Sequence, residues 1–186
     1  MRQLTVTLCA LLLLSVPARS EVRIGLSAGP STGALSDNGG SGYSDAERIP
    51  FARDRETGVM VGLGVEYGEP RGVALRCDLL ARSGPDPVRL EDLFAGLGLS
   101  WRRAGGHLRA LFGMGLSRAR YLQNGLYDTT YSRGTGILLG AGWDMELGDR
   151  LAIGPGLHWR VHGGGDPDVV VDAFALTLTL TYRLGE

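Results

Sequence analysis

Apolar and polar residues alternate with a period of two along most of the chain beyond residue 20. Val22, Ile24, Leu26 and Ala28 open the pattern. Val59, Val61, Leu63, Val65 and Tyr67 then stand against Met60, Gly62, Gly64 and Glu66. The rhythm returns over 73–80, 92–102, 108–117, 137–147, 151–162 and 173–184. A period of two is the mark of a strand, whereas a helix repeats near 3.6. These runs predict eight strands. An even number lets an antiparallel sheet close on itself with both termini on one side.

The predicted connections alternate in length. Residues 68–72, 103–106 and the pair Gly148-Asp149 read as tight turns, the last as a two-residue hairpin. Longer polar stretches follow the other strand ends: 29–56, a loop opening at Ser83-Gly84-Pro85-Asp86-Pro87, 121–134, and 163–168. Short turns at one end and longer loops at the other are expected of an outer-membrane barrel.

The two faces decide which side meets lipid. The major face is Leu, Val, Ile, Ala and Phe. The minor face carries Gly62, Gly64, Gly96, Gly98, Gly113, Gly115, Gly140, Gly142, Gly154 and Gly156 beside isolated charges. Glycine weakens a strand and contributes nothing to a surface in water. It suits the interior of an eight-stranded barrel, which has little room. The predicted fold is therefore all-β: an eight-stranded antiparallel up-and-down transmembrane β-barrel with its apolar face outward. Tyr67, Trp101 and Tyr182 lie on the major face near the short turns, and Trp159 lies nearer the loops. Such rings prefer membrane interfaces. Trp143 sits nearer mid-strand.

Composition adds a leader and excludes some partners. Arg2 precedes an apolar run from Leu4 to Val16, then Pro17 and the small residues of Ala18-Arg19-Ser20. That is the layout of a cleaved signal peptide over 1–20, leaving 21–186 as one barrel domain. After the leader Cys77 is the single cysteine, so no internal disulfide framework is expected. The chain has no lysine, and 19 arginines nearly balance 20 acids. No basic surface argues for nucleic acid.

The pattern over 21–186, with the last strand Phe174-Ala-Leu-Thr-Leu-Thr-Leu-Thr-Tyr182-Arg-Leu184, resembles the small eight-stranded outer-membrane barrels, the OmpX-like proteins and the transmembrane domain of OmpA. The resemblance implies placement in the cell outer membrane, both mature termini in the periplasm, and insertion by the barrel-assembly machinery. Members usually finish the last strand on an aromatic residue. Here the last aromatic is Tyr182, followed by Leu184 and a terminal Glu186.

Candidate chemistry lies on the minor face and in the loops. Glu66, Arg76, Asp78, Arg102, Arg109, Asp144, Glu146, Arg160, Asp172 and Arg183 are expected to form a polar network in the lumen. Paired charges would plug so narrow a bore, because unpaired ones are costly there. A conducting pore for ions or small solutes is the competing reading. His158 and His162 stand four residues apart on one strand, about 13 Å, too far for one metal. No metal or cofactor is expected. A lipid A-modifying enzyme would need a serine, a histidine and an acid together. Ser100, Ser117, His158 and Asp144 are inward on different strands, and no triad is legible. The favoured function is non-catalytic, structural or loop-mediated. Loops 30–56 and 121–134, with Tyr43, Tyr127, Tyr131, Arg53, Arg55, Arg120 and Arg133, would meet an extracellular partner. Arg118 and Arg120 would meet lipopolysaccharide phosphates, and the outward face would meet outer-membrane lipid.

Overall fold

The computed structural model describes residues 20–37, 55–84, 89–123, 126–163 and 169–184. The predicted leader, apart from Ser20, lies outside the described residues. The elements are β1 (Glu21–Asp37), β2 (Glu56–Gly68), β3 (Gly72–Ser83), β4 (Arg89–Arg103), β5 (Gly106–Gln123), β6 (Leu126–Trp143), β7 (Met145–Glu146), β8 (Leu151–Gly163) and β9 (Val169–Leu184). Every pairing is antiparallel between sequence neighbours, and β9 returns to β1 to close the sheet. β7 continues β6 past Asp144: both pair with β8 in one register. The fold is thus a closed eight-strand antiparallel barrel.

Register fixes its dimensions. Paired residues lead from Val22 through Tyr67, Leu75, Leu99, Ala110, Leu139, Trp159 and Phe174 back to β1 at Thr32, ten residues beyond the start. Eight strands with a shear of ten give a tilt of about 40° and a radius of about 8 Å. Each residue along a strand then climbs about 2.5 Å along the axis.

The predicted faces appear as alternating burial. β3 is exposed at Val73, Leu75, Cys77 and Leu79 and buried at Ala74, Arg76, Asp78 and Leu80. Leu26, Leu63, Leu97, Phe112, Leu139, Leu157 and Leu178, one from each of seven strands, point outward and exposed. A protein in water does not coat itself this way. Tyr67, Trp101 and Tyr182 fall at one axial level at the short-turn end, given this register. Trp143 joins them, because it ends β6 opposite Gly106 and is not mid-strand. Trp159 sits well above that belt, and its indole nitrogen donates to Asp172 Oδ1 at 2.7 Å.

Several boundaries differ from the sequence reading. β1 runs on through Pro30–Asp37, and β5 and β6 turn most of 121–134 into strand. Outward positions there include Thr32, Ala34 and Thr135. Above the hydrocarbon a paired backbone needs no apolar side chain, so the ladder continues where the alternation fades. Residues 38–54 of the first predicted loop lie outside the described residues. The last tight turn is a three-residue loop, 148–150, closed by Leu147 N–H donating to Leu151 O at 2.9 Å. Gly148 has φ +149°, a conformation that favours glycine. The β4–β5 turn places Ala104 at φ 49° and Gly105 at φ 88°, the left-handed pair of a type I′ hairpin.

Leu97, outward near mid-height, tests the orientation of the wall. Leu97→Arg is expected to lower unfolding free energy in lipid by roughly 2–4 kcal/mol, read by urea titration in liposomes.

Candidate functional site

The inward residues form three layers along the axis. Nearest the short turns lies an ionic chain of alternating sign. Asp144 Oδ2 accepts from Arg102 Nη1, whose Nε donates to Glu66 Oε1. Glu66 Oε2 accepts from Ser100 Oγ at 2.6 Å and from Arg76 Nη1 at 3.2 Å. Arg76 Nε donates to Asp78 Oδ1 at 2.9 Å, and Asp78 Oδ2 faces Arg109 Nη1 at 3.3 Å. Arg109 ends the chain against His158, 2.7 Å from Nε2, which Thr177 Oγ1 also meets at 3.0 Å. Three carboxylates thus alternate with three guanidiniums, all buried. The planar fork of arginine reaches two acids at once, which lysine's point charge does not.

Above it Met60, Leu80, Phe94, Leu111, Leu138 and Ala175 pack together, with Phe94 and Leu138 at 0% exposure. This apolar layer was not expected from the sequence, which showed these residues on the glycine face without saying that they meet. Their levels around the barrel depend on register. A third layer holds Arg82, Asp92, Arg160 and His162. Asp92 pairs with Arg160, and Arg82 Nη1 lies 3.9 Å from Asp92 Oδ2. Arg82 also donates to Glu56 O at 2.7 Å and Leu90 O at 3.2 Å. Glycine makes room for these groups. A Cβ at Gly64 would strike Asp78 and Arg76, and one at Gly115 would strike the His162 ring.

Seven of the ten predicted lumen residues lie inside: Glu66, Arg76, Asp78, Arg102, Arg109, Asp144 and Arg160. Asp172 does not. It shares the outward parity of Phe174 on β9 and pairs with Arg55 on the outer wall. The strict period of two puts it opposite Ala173, so its assignment to the lumen is corrected. Glu146 is at the open mouth beyond the lumen, exposed, accepting from Arg183 Nη2 at 2.6 Å. That hydrogen bond and charge hold the Glu146 carboxyl below its ordinary range. Arg23, Arg82, Asp92 and His162 were absent from the predicted network. Strand parity alone marks each of them inward.

Ser117 Oγ lies 3.2 Å from His162 Nε2, a pairing across β5 and β8 that the sequence did not disclose. A hydrolase needs an acid on the other ring nitrogen. His162 Nδ1 has no hydrogen-bond partner among the described residues, and the ring is 1% exposed. Among those residues no group of three His, Cys, Asp or Glu is placed to hold a metal.

No family model and no curated protein matches the sequence. Solved structures do match in shape. Ail, the attachment invasion locus protein of Yersinia pestis, aligns at TM-score 0.54 with 16% identity over 87% of this chain and 99% of its own. Neisserial surface protein A aligns at TM-score 0.54 with 13% identity over 89% and 99%. Ail in complex with the heparin analogue sucrose octasulfate aligns at TM-score 0.52 with 15% identity over 87% and 99%. At such identities the likeness is one of fold.

Glu66 joins the most partners, so it is the sensitive point. Glu66→Gln leaves Arg76 and Arg102 short of a counter-charge and is expected to cost about 3–5 kcal/mol of unfolding free energy. Arg183→Gln, at the solvated mouth, is expected to leave the same urea midpoint unchanged.

Proposed function

We propose that the chain is exported to the outer membrane and presents its loop-end strands to partners outside the cell, without conducting or catalysing. In this reading the short turns and both mature termini are periplasmic, following the usual asymmetry of such barrels. Lipid covers the outward face, and lipopolysaccharide meets the rim that carries Asp172, Arg55, Glu91, Arg118 and Arg133.

One observation carries the binding role. β6 pairs with β8 only from Thr135 opposite Gly163 downward, and β5 pairs with β4 only as far as Arg120 opposite Arg89. The β5–β6 hairpin continues to Gln123 opposite Leu126. Leu126 to Gly134 are thus the described stretch of β6 that continues past its pairing with Gly163, on the order of 30 Å of strand. A hairpin reaching above the apolar band stands where a partner from the medium meets it. Ail, similar in fold, has been solved in complex with the heparin analogue sucrose octasulfate, which supports ligand binding as a role for a barrel of this shape.

The interior supports the rest of the reading. An apolar layer between two ionic layers leaves an ion no hydrated path, and the Ser117–His162 pair lacks an orienting acid. In planar bilayers the folded protein is expected to show no steady conductance steps; regular steps abolished by Glu66→Gln would contradict this. Cells displaying a chain whose residues 121–128 are replaced by an Asn-Gly turn are expected to lose most adhesion to heparin- or matrix-coated surfaces. Undiminished adhesion, with the shortened barrel still folded, would remove the hairpin from the account of binding.

A further inference from the structure

The short-turn end carries a concavity beside the lumen mouth, with which it shares Arg71, Arg102, Arg103 and Ala104. A cavity of about 470 Å³ is lined by Arg71, Gly72, Trp101, Arg102, Arg103 and Ala104. Trp101 and Arg103 share the outward face of β4, and Arg71 comes from the adjacent β2–β3 turn. No carboxylate lines it. Arg71 and Arg103 are exposed, and neither has an ion pair or hydrogen bond among the described residues. Three other arginines at this end are engaged: Arg23 pairs with Glu21, Arg102 with Glu66 and Asp144, Arg183 with Glu146. Two guanidiniums without an ion pair or hydrogen bond, both also bordering the adjoining lumen mouth where Asp144 and Glu146 stand, therefore line one hollow. Its remaining wall is a ring from the aromatic belt, which lies at headgroup level.

We propose that this hollow holds the phosphate of an anionic phospholipid in the leaflet facing the short turns. The assignment rests on the membrane placement proposed above. Phosphate oxygens suit guanidinium forks, which donate two parallel hydrogen bonds. Trp101 packs against the glycerol region while the acyl chains lie along Val73, Leu75 and Leu99. Those residues are exposed on the wall above the hollow. A free phosphate in the periplasm has the same headgroup chemistry but nothing to place against Trp101 or that wall. Arg150, in the β7–β8 turn, is also exposed and its guanidinium has no ion pair among the described residues, yet it is not part of this hollow.

The test uses the folded protein in nanodiscs of phosphatidylcholine with a minority of phosphatidylglycerol. Lipid retained after gentle release into detergent is read by native mass spectrometry. The double variant R71Q/R103Q is expected to retain roughly thirtyfold less phosphatidylglycerol, the fold-change of about 1 kcal/mol for each of two arginines near a headgroup. Arg150→Gln is expected to retain as much as the unaltered chain. R71K/R103K keeps the charge, loses the fork and is expected to fall between. It also serves if the glutamine variant folds poorly. Equal retention in R71Q/R103Q and the unaltered chain overturns the site, as does an equal fall in Arg150→Gln. Displacement of the bound lipid by glycerol phosphate at equal concentration assigns the hollow to a soluble anion and overturns the lipid. A chain that does not enter the nanodisc at all overturns the membrane placement, an outcome distinct from these.

Discussion

Backbone hydrogen bonding in hydrocarbon governs this molecule. Lipid offers no donor or acceptor, so each strand crossing it must be paired on both edges. The chain meets that demand by returning β9 to β1. Closure over eight strands with a shear of ten leaves a bore of about 8 Å radius measured to the backbone. Everything inside follows from that narrowness. Large side chains can enter only opposite small ones, which is why arginine and histidine recur beside glycine. Charges that enter gain from a counter-charge nearby, because a buried charge left alone is costly.

The interior layering then separates the two ends of the barrel. Asp144, Arg102, Glu66, Arg76, Asp78 and Arg109 form one continuous chain of opposite charges below. Phe94, Leu138 and their neighbours seal the middle, and Arg82, Asp92 and Arg160 lie above. In the proposed reading such a core is left to support the wall, and recognition falls to the two rims. Near the loops the β5–β6 hairpin continues to Gln123 opposite Leu126. Near the turns, arginines stand beside an aromatic belt.

The inside and outside of the wall were legible in the sequence because strand side chains alternate with an exact period of two. Val73, Leu75, Cys77 and Leu79 against Arg76, Asp78 and Leu80 are enough to assign β3 to its faces. Height was not legible. It depends on the register between strands, which a single strand does not carry, so Trp143 was misplaced and the apolar layer went unseen. Ion-pair partners were hidden for the same reason: Arg102 meets Glu66 and Asp144 from two other strands. Strand ends were obscured because apolar alternation stops at the membrane surface while pairing does not, as Pro30–Asp37 and the β5–β6 hairpin demonstrate. Asp172 was a different matter, since its parity with Phe174 was available in the sequence and places it outward.

Cys77, outward on β3 and the single cysteine of the predicted mature chain, offers the most direct test of hydrocarbon lying outside the wall. A nitroxide attached there, in liposomes, is read by electron paramagnetic resonance with oxygen and with a water-soluble nickel chelate as relaxers. Hydrocarbon around the label gives strong relaxation by oxygen and almost none by nickel. Strong relaxation by nickel, or protection from both, would put water or protein core where lipid has been placed.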